Sequence, residues 1–411
     1  MLALAATTIS LLSYGGVGDG HTDNSLAFAR AVAAIAGFGG GTLLVPRGTF
    51  VTRAINLTSS MTLFLDEGAA IQSSLDFSAW PLLGALPAYP SDGPRYAPLV
   101  GGYDLRDVHV LGNTSAASPP RIDGMGLAWV AAKAAKLLKG ERPHALEFAR
   151  VAGLEVAHVA IQESAYWTLH LSQCSSAWVH HASIVSTTPN GDGIDVGAED
   201  VLIEYMDIVA SDDAIALKSG DAPAGSGLPP TKNVTIRHSS LTSTEGCIAI
   251  GSEMTAGVED VDVYNVTCHA AGHALLYIKE RRLAGGYVRN ISLHHSAIAG
   301  PVERVLWLSQ HFGEHGENVG RGGGAVAPPV LANVSLRSIA VLPGALVLQA
   351  GLLNGDAAPP GGAGGAGAIV GLVLEDLALG APLSGWTCAN ASGTWRNVTP
   401  APAGCAGLTP A

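Results

Sequence analysis

Three aspartates carry the first signal of chemistry. Asp212 and Asp213 stand side by side in "SDDAIALKSG", directly ahead of a short β-type apolar run, and Asp192 occupies a matching place in "NGDGIDV". Adjacent carboxylates repel each other, and burying them costs solvation free energy. When the apolar positions of successive segments are aligned, "DGIDV" from Asp192 matches "DAIAL" from Asp213, "GCIAI" from Gly246 and "ALLYI" from Ala274. Ile194, Ile215, Ile248 and Leu276 then form one internal ladder. In this register Asp192 and Asp213 are neighbours about 4.8 Å apart at the backbone, the spacing of paired strands. Glu245 falls at the Asp212 position on the next segment, and His273 on the one after. Crowding raises the pKa of at least one such carboxyl, so that it holds a proton beside an ionised neighbour. That is the equipment for glycosidic hydrolysis: an acid for the leaving oxygen and a base for water. Lys218 and Lys279 follow the same register and form a cationic line, a candidate seat for an anionic sugar. Solvated turn aspartates are the bland alternative. Calcium is another, but "NGDGID" lacks the distal bidentate Glu of an EF-hand loop.

The elements that must position these residues are visible as a repeat. An eight-residue pattern (apolar, any, apolar, four variable, apolar) reads "LEVAHVAI" from Leu154, "AWVHHASI" from Ala177, "VLIEYMDI" from Val201, "VTIRHSSL" from Val234, "VDVYNVTC" from Val261 and "ISLHHSAI" from Ile291. Weaker copies start at Val334 and Leu372, and the first three copies are 23 and 24 residues apart. Alternation within each copy is strand-like. A period in the twenties that tolerates insertions predicts a solenoid, each unit burying its apolar face on the next. Three strands per coil give an all-β, parallel β-helix; a sandwich predicts no such fixed offsets. Asp23 or Asn24 would cap an amphipathic helix carrying Phe28, Val32 and Ile35, stopped by glycine at Gly37 and covering the N-terminal end of the stack. "LAWVAAKAAKLLKGE" predicts a second short helix in an inserted loop, and "NGDAAPPGGAGGAGA" a mobile low-complexity loop. Residues 1–411 are expected to form a single domain, with a cap region over 1–50 and a tail over 380–411.

Composition bounds the function. The 411 residues are 48% hydrophobic and only 14% charged, with 52 glycines, as expected of all-β structure with tight turns. A net charge of −12 leaves no basic stripe for phosphates, which argues against a nucleic-acid partner. No apolar run approaches a membrane span, and no cofactor or metal is called for. "MLALAATTIS" is a poor signal peptide or the remnant of one. Eight asparagines (56, 113, 233, 265, 290, 333, 390 and 397) sit in N-x-S/T sequons, which favours a secreted glycoprotein, although Asn before β-branched residues also suits the start of a strand. Cys388 and Cys405 bracket a C-terminal loop that a disulfide could close, whereas Cys174, Cys247 and Cys268 read as small buried hydrophobes.

At the acidic residues the chain resembles glycoside hydrolase family 28, the polygalacturonases, in its plant-type branch. The family pattern runs Asn-Thr-Asp, Asp-Asp, Gly-His-Gly and Arg-Ile-Lys over successive coils. Here Asn190-Gly191-Asp192 and Asp212-Asp213 stand for the first two. "YGGVGDGHTDNSLAF", "GGGTLLVPRGTF", "NLTSSMTLFLDEGA", "ERPHALEF", "IAIGSEMTAGV" and "WTCANASG" extend the likeness over nearly the whole chain, in order. The resemblance implies a right-handed parallel β-helix and hydrolysis of the α-1,4 galacturonosyl links of pectin with inversion, by a secreted, monomeric cell-wall enzyme. It implies Asp212 as general acid and Asp192 and Asp213 as activators of water. Asn190, Glu245, His273, Tyr277 and Lys279 would line the substrate, Lys279 at its carboxylate. Glu245 replaces the family His, Tyr277 the family Arg, and Gly191 the usual Thr. Losing two cationic groups and adding a carboxylate bears on which pectic polymer is cut, for which His273 or Arg281 could compensate.

Three other readings stand beside this one. A rhamnogalacturonan-type hydrolase would use the same acids on another pectic polymer. A pectic polysaccharide lyase would need calcium and a cationic or neutral base, and no Arg stands among the aligned acids. A non-catalytic wall-binding homologue would account for the lost His and Arg, yet all three aspartates are retained.

Overall fold

The structure, a computed structural model, describes residues 7–115, 119–223, 225–281, 285–310, 312, 329–354, 369–380 and 384–411. Among these, every strand pairing is parallel except one short antiparallel pair, Leu82–Leu83 with Arg95–Tyr96. The chain winds as a parallel β-helix whose coils stack in the repeat's register. Leu154 faces Ala177, which faces Val201, then Val234, Val261 and Ile291. These side chains point inward and are almost fully buried. A Leu or Ile fully removed from water in such a stack contributes about 1.5–3 kcal/mol, and the continuous column is what holds coil upon coil.

Each coil has a first strand, a short second strand and a third strand, separated by corners. The corner after the first strand explains the variable half of the repeat. Its fifth position is His158, His181, Tyr205, His238, Asn265, His295, Ser338 and Asp376 in successive copies, and each has a left-handed backbone with φ between 46° and 58°. Asn, Asp and His tolerate that region better than other non-glycine residues. The sequon asparagines 233, 265, 290, 333, 390 and 397 also sit at left-handed positions. Several of their side-chain amides are already used: Asn290 Nδ2 donates to Asp260, Asn333 Nδ2 to Asn290 and Asn233 Nδ2 to Asp200. Corner geometry alone therefore accounts for most of the sequons.

Helix α1 (Ser25–Phe38) packs Phe28, Val32 and Ile35 onto the first coils. It runs through Gly37 and ends at Gly39, whose φ of 78° closes the last turn. The N-terminal cap is divided: Asp23 Oδ1 accepts from Ser25 N at 2.9 Å, while the Asn24 amide ties Val17, Thr22 and Val51 together. Helix α2 (Gly126–Ala134) lies in an insertion, as expected, anchored by the fully buried Trp129. The low-complexity segment spans 354–368 and, beyond Asn354, lies outside the described residues. Residues Ser384–Ala389 and Ala391–Thr399 continue the parallel ladders at the C-terminal end.

Cys388 and Cys405 are bonded, as the sequence suggested, but the reading of Cys247 and Cys268 as small buried hydrophobes is corrected: they form a second disulfide, and only Cys174 is a free, buried thiol. Coil stacking brings Cys247, just past one acidic corner, over Cys268 on the next coil's second strand. Closing a loop of this size contributes about 3 kcal/mol. The double replacement Cys247→Ala with Cys268→Ala is expected to lose stability on that scale, read as a lower urea midpoint at unchanged slope.

Candidate active site

The corner between second and third strands gathers the acids. Ile194 pairs with Ile215, Ile215 with Ile248 and Ile248 with Leu276, the ladder expected from the sequence. Two residues ahead of that ladder, Asp192 and Asp213 lie on adjacent coils; oxygens of Asp192, Asp212 and Asp213 all come within 4.8 Å of one another. Asp192 and Asp213 are buried, whereas Asp212 is half-buried. Glu245 and His273 follow on the next two coils, both half-buried, with His273 Nδ1 at 3.0 Å from Glu245 Oε2. Gly191 has a local cause: a Cβ there would lie 2.7 Å from the Thr188 carbonyl oxygen and also crowd Ser186 Oγ and Ser211 Oγ, so the family's Thr would force this corner to shift.

Lys218 and Lys279 occupy one register line, but both are buried and already paired, so neither ammonium is a free seat for a sugar carboxylate. Lys279 Nζ is 2.6 Å from Asp213 Oδ2, and the Gly246 amide donates to Asp213 Oδ1 at 3.1 Å. Lys218 Nζ lies 3.0 Å from Glu253, 3.5 Å from Asp195 and 3.9 Å from Asp192. Arg281 likewise is held by Glu253 and Ser252, at 2.8 Å each. Tyr277 is buried under a stack, its ring 5.3 Å from His273 and 4.6 Å from Trp307. Asn190 is exposed, and its Oδ1 accepts from Arg142 at 3.0 Å.

Sequence reading missed Asp195, Glu253, Glu147 and His170. The column Glu147, His170, Asp195, Ala216, Ala249, Tyr277, Trp307 runs along the outward positions of the third strands. It was available from the ladder, since each residue follows an inward apolar one. At its N-terminal end a pocket of about 310 Å³ is walled by insertion residues such as Tyr89 and Arg95 and floored by His144, Glu147 and Trp167. There Glu147 takes Arg95 at 2.7 Å, Tyr103 at 2.6 Å and His144 at 2.7 Å, and its pKa stays well below the usual range despite complete burial, mostly through His144. Lys218 lies over the face of Trp167, 4.3 Å from its centroid, and so joins this pocket to the acids.

The charge arrangement puts protons on the cluster. Burial, then Asp195 and Asp212, push Asp192 far up; burial pushes Asp195 up to about 8. Burial and Asp213 raise Asp212. Glu253 is instead held well below its ordinary value by Lys218 and Arg281, which outweigh its burial. Burial and Asp212 raise Glu245 to about 7. A carboxyl raised on folding binds more protons in the folded chain, so its contribution to stability falls as pH rises from the unfolded value of 4.5 to about 7. Glu245→Gln is expected to flatten that loss, and urea midpoints across the same pH window measure it.

Clustered carboxylates on the flank of a parallel β-helix are the arrangement expected of a solenoid glycosidase. Residues 107–300 match the model of glycosyl hydrolases family 28. The chain is 30% identical over 413 residues to a "Probable polygalacturonase" of Vitis vinifera, covering 98% of this chain and 81% of that protein. It superimposes with a TM-score of 0.75 on a hyperthermoactive exopolygalacturonase of Thermotoga maritima, at 23% identity over 96% of this chain and 92% of that one. A family 28 exopolygalacturonase of Yersinia enterocolitica gives a TM-score of 0.77 at 16% identity, over 98% and 76% of the two chains. The chain belongs to glycosyl hydrolase family 28 and is a polygalacturonase-like glycosidase.

Proposed function

We propose that the protein hydrolyses α-1,4 galacturonosyl linkages of pectin with inversion, Asp212 acting as general acid and Asp192 with Asp213 activating water. One observation carries this: three carboxylates from two coils converge within 4.8 Å, and the half-buried one has a raised pKa. A general acid must hold a proton at working pH and touch the leaving oxygen; the raised pKa and partial exposure of Asp212 support that role. In the reactive form the pair carries one proton, on Asp212, and Asp192 is ionised, although burial favours a proton on Asp192 in the free protein. Coupled carboxyls titrate as a group, which permits that distribution. Lys279 holds Asp213 in place. The carboxyls are packed more closely than the roughly 6.5–9.5 Å usual for inverting pairs; inversion is inferred from the family pattern.

Glu245 sets the pH range. Above neutrality its charge adds to an already acidic corner and repels galacturonate; below, it is protonated and can donate a hydrogen bond. Activity on an anionic polymer is therefore expected to fall above pH about 7, and Glu245→Gln to extend it upward, as initial rates on polygalacturonate between pH 4 and 9 would show. The two disulfides fit a secreted, wall-acting protein. A second reading, hydrolysis of rhamnogalacturonan, is favoured by one feature: Glu245 and Tyr277 stand where the family has His and Arg, so the corner has fewer cations for consecutive galacturonates. Product analysis on defined oligogalacturonides and rhamnogalacturonan oligosaccharides separates the two. Cleavage of neither, with reversible binding of both, would leave a wall-binding protein.

A further inference from the structure

At the corner after the first strands, far along the coil from the acids, the left-handed positions of two adjacent coils are both histidine. His158 and His181 meet there with tilted rings, centroids 5.3 Å apart, and His180, immediately before His181, completes a triangle at 5.4 and 5.1 Å. One ring nitrogen of each lies within 4.8 Å of the other two. His180 Nδ1 and His181 Nδ1 are 2.9 Å apart. The short second strand Ser183–Ser186 separates this corner from the acidic one, so neither site shares a residue with the other.

The surrounding carboxylate fixes the proton positions. Glu155 Oε1 lies 3.1 Å from His180 Nε2, and a carboxylate can only accept, so His180 carries its proton on Nε2. Its Nδ1 is then the acceptor in the 2.9 Å contact with His181 Nδ1, which donates. The other oxygen of Glu155 is 2.8 Å from His109 Nδ1, which anchors the carboxylate in turn. Carboxylate to histidine to metal is the usual outer shell of a histidine-ligated cation, orienting the ring and raising its basicity. His181 is exposed and can move its own proton to Nε2, which frees a second Nδ1 without net loss of charge. Zinc bonds imidazole nitrogen at about 2.0–2.1 Å, so tetrahedral ligands stand roughly 3.3 Å apart, and the 2.9 Å pair needs only a small spread.

We infer that His158, His180 and His181 form a binding site for a divalent transition metal of the zinc class, stapling two adjacent coils. Three imidazoles, that of His181 exposed, suit zinc, and copper(II) would compete. Among the described residues no other such trio of histidines occurs. His294 and His295 repeat the pair, with Asp262 in the place of Glu155, but the preceding corner there holds Asn265, not histidine. The site stands apart from the glycosidase chemistry.

The test is equilibrium dialysis of the chelator-treated full chain against micromolar Zn²⁺, with metal counted by elemental analysis and thermal unfolding followed in parallel. The expected result is one zinc per chain and a Tm raised by a few degrees. His158→Asn and His181→Asn keep a residue that accepts the left-handed corner, and each is expected to abolish stoichiometric uptake with the metal-free Tm little changed. Glu155→Gln is expected to weaken binding by about 10–100-fold. His294→Asn should change nothing. No uptake by the parent chain, uptake persisting in both His variants, or uptake lost equally in His294→Asn would each overturn the site.

Discussion

Asp212→Asn is expected to lower kcat on polygalacturonate by about 10²–10⁴-fold, the usual worth of a positioned general acid, with KM changed far less. The same substitution is expected to make the protein more stable at neutral pH. Asp212 has a raised pKa because burial and the adjacent Asp213 disfavour its charge, so at pH 7 the folded chain bears a penalty that an amide does not. Loss of activity combined with a gain in urea midpoint marks a residue kept for chemistry at the expense of the fold. A merely structural aspartate would lose stability on replacement. Retained activity would remove Asp212 from the acid role.

Lys218→Met should have the largest effect on stability. This buried ammonium faces Glu253, Asp195 and Asp192, and without it two buried carboxylates and the half-buried Glu253 lose their common counter-charge. Removing one partner from such a group costs about 3–5 kcal/mol. Arg281 still pairs with Glu253, so the burden falls on Asp192 and Asp195. Both already sit above their ordinary pKa with Lys218 opposing the rise, and its removal lifts them further. With Asp192 needed as an anion to activate water, the acid side of the pH–rate profile should move up by about one unit, equivalent to about 1.4 kcal/mol of lost charge–charge interaction. Urea unfolding and a pH–kcat/KM profile of the variant test the two halves separately. A stable variant with an unmoved profile would show that Lys218 does not govern Asp192.

The ladder from Ile194 to Leu276 could be read in the sequence because a solenoid repeats one environment, so inward apolar residues recur at matching offsets and carry the corner acids with them. The same logic reached Glu245 and His273. It stopped short where contacts cross between columns. Cys247 and Cys268 belong to different strands of adjacent coils, and a register drawn along one column does not bring them together. Asp195 was in view beside Ile194, but its meaning depends on Lys218 and Glu253 reaching it from neighbouring coils. The two lysines looked like free cations because spacing reveals position and not pairing. Arg95, Tyr89 and Arg142 come from insertions that break the period, and no offset predicts where an insertion folds back. The helix end was misplaced by two residues because Gly37 is tolerated inside α1, while Gly39 alone takes the left-handed turn.

The most direct measurement is a proton NMR time course of a defined oligogalacturonide with the parent chain and with Asp192→Asn, Asp212→Asn and Asp213→Asn. The expected first product of the parent chain is the β-anomer at the new reducing end, with all three variants slower by at least about 10²-fold. A first-formed α-anomer, an unsaturated product, or cleavage undiminished by the three substitutions would contradict hydrolysis by these converging carboxylates.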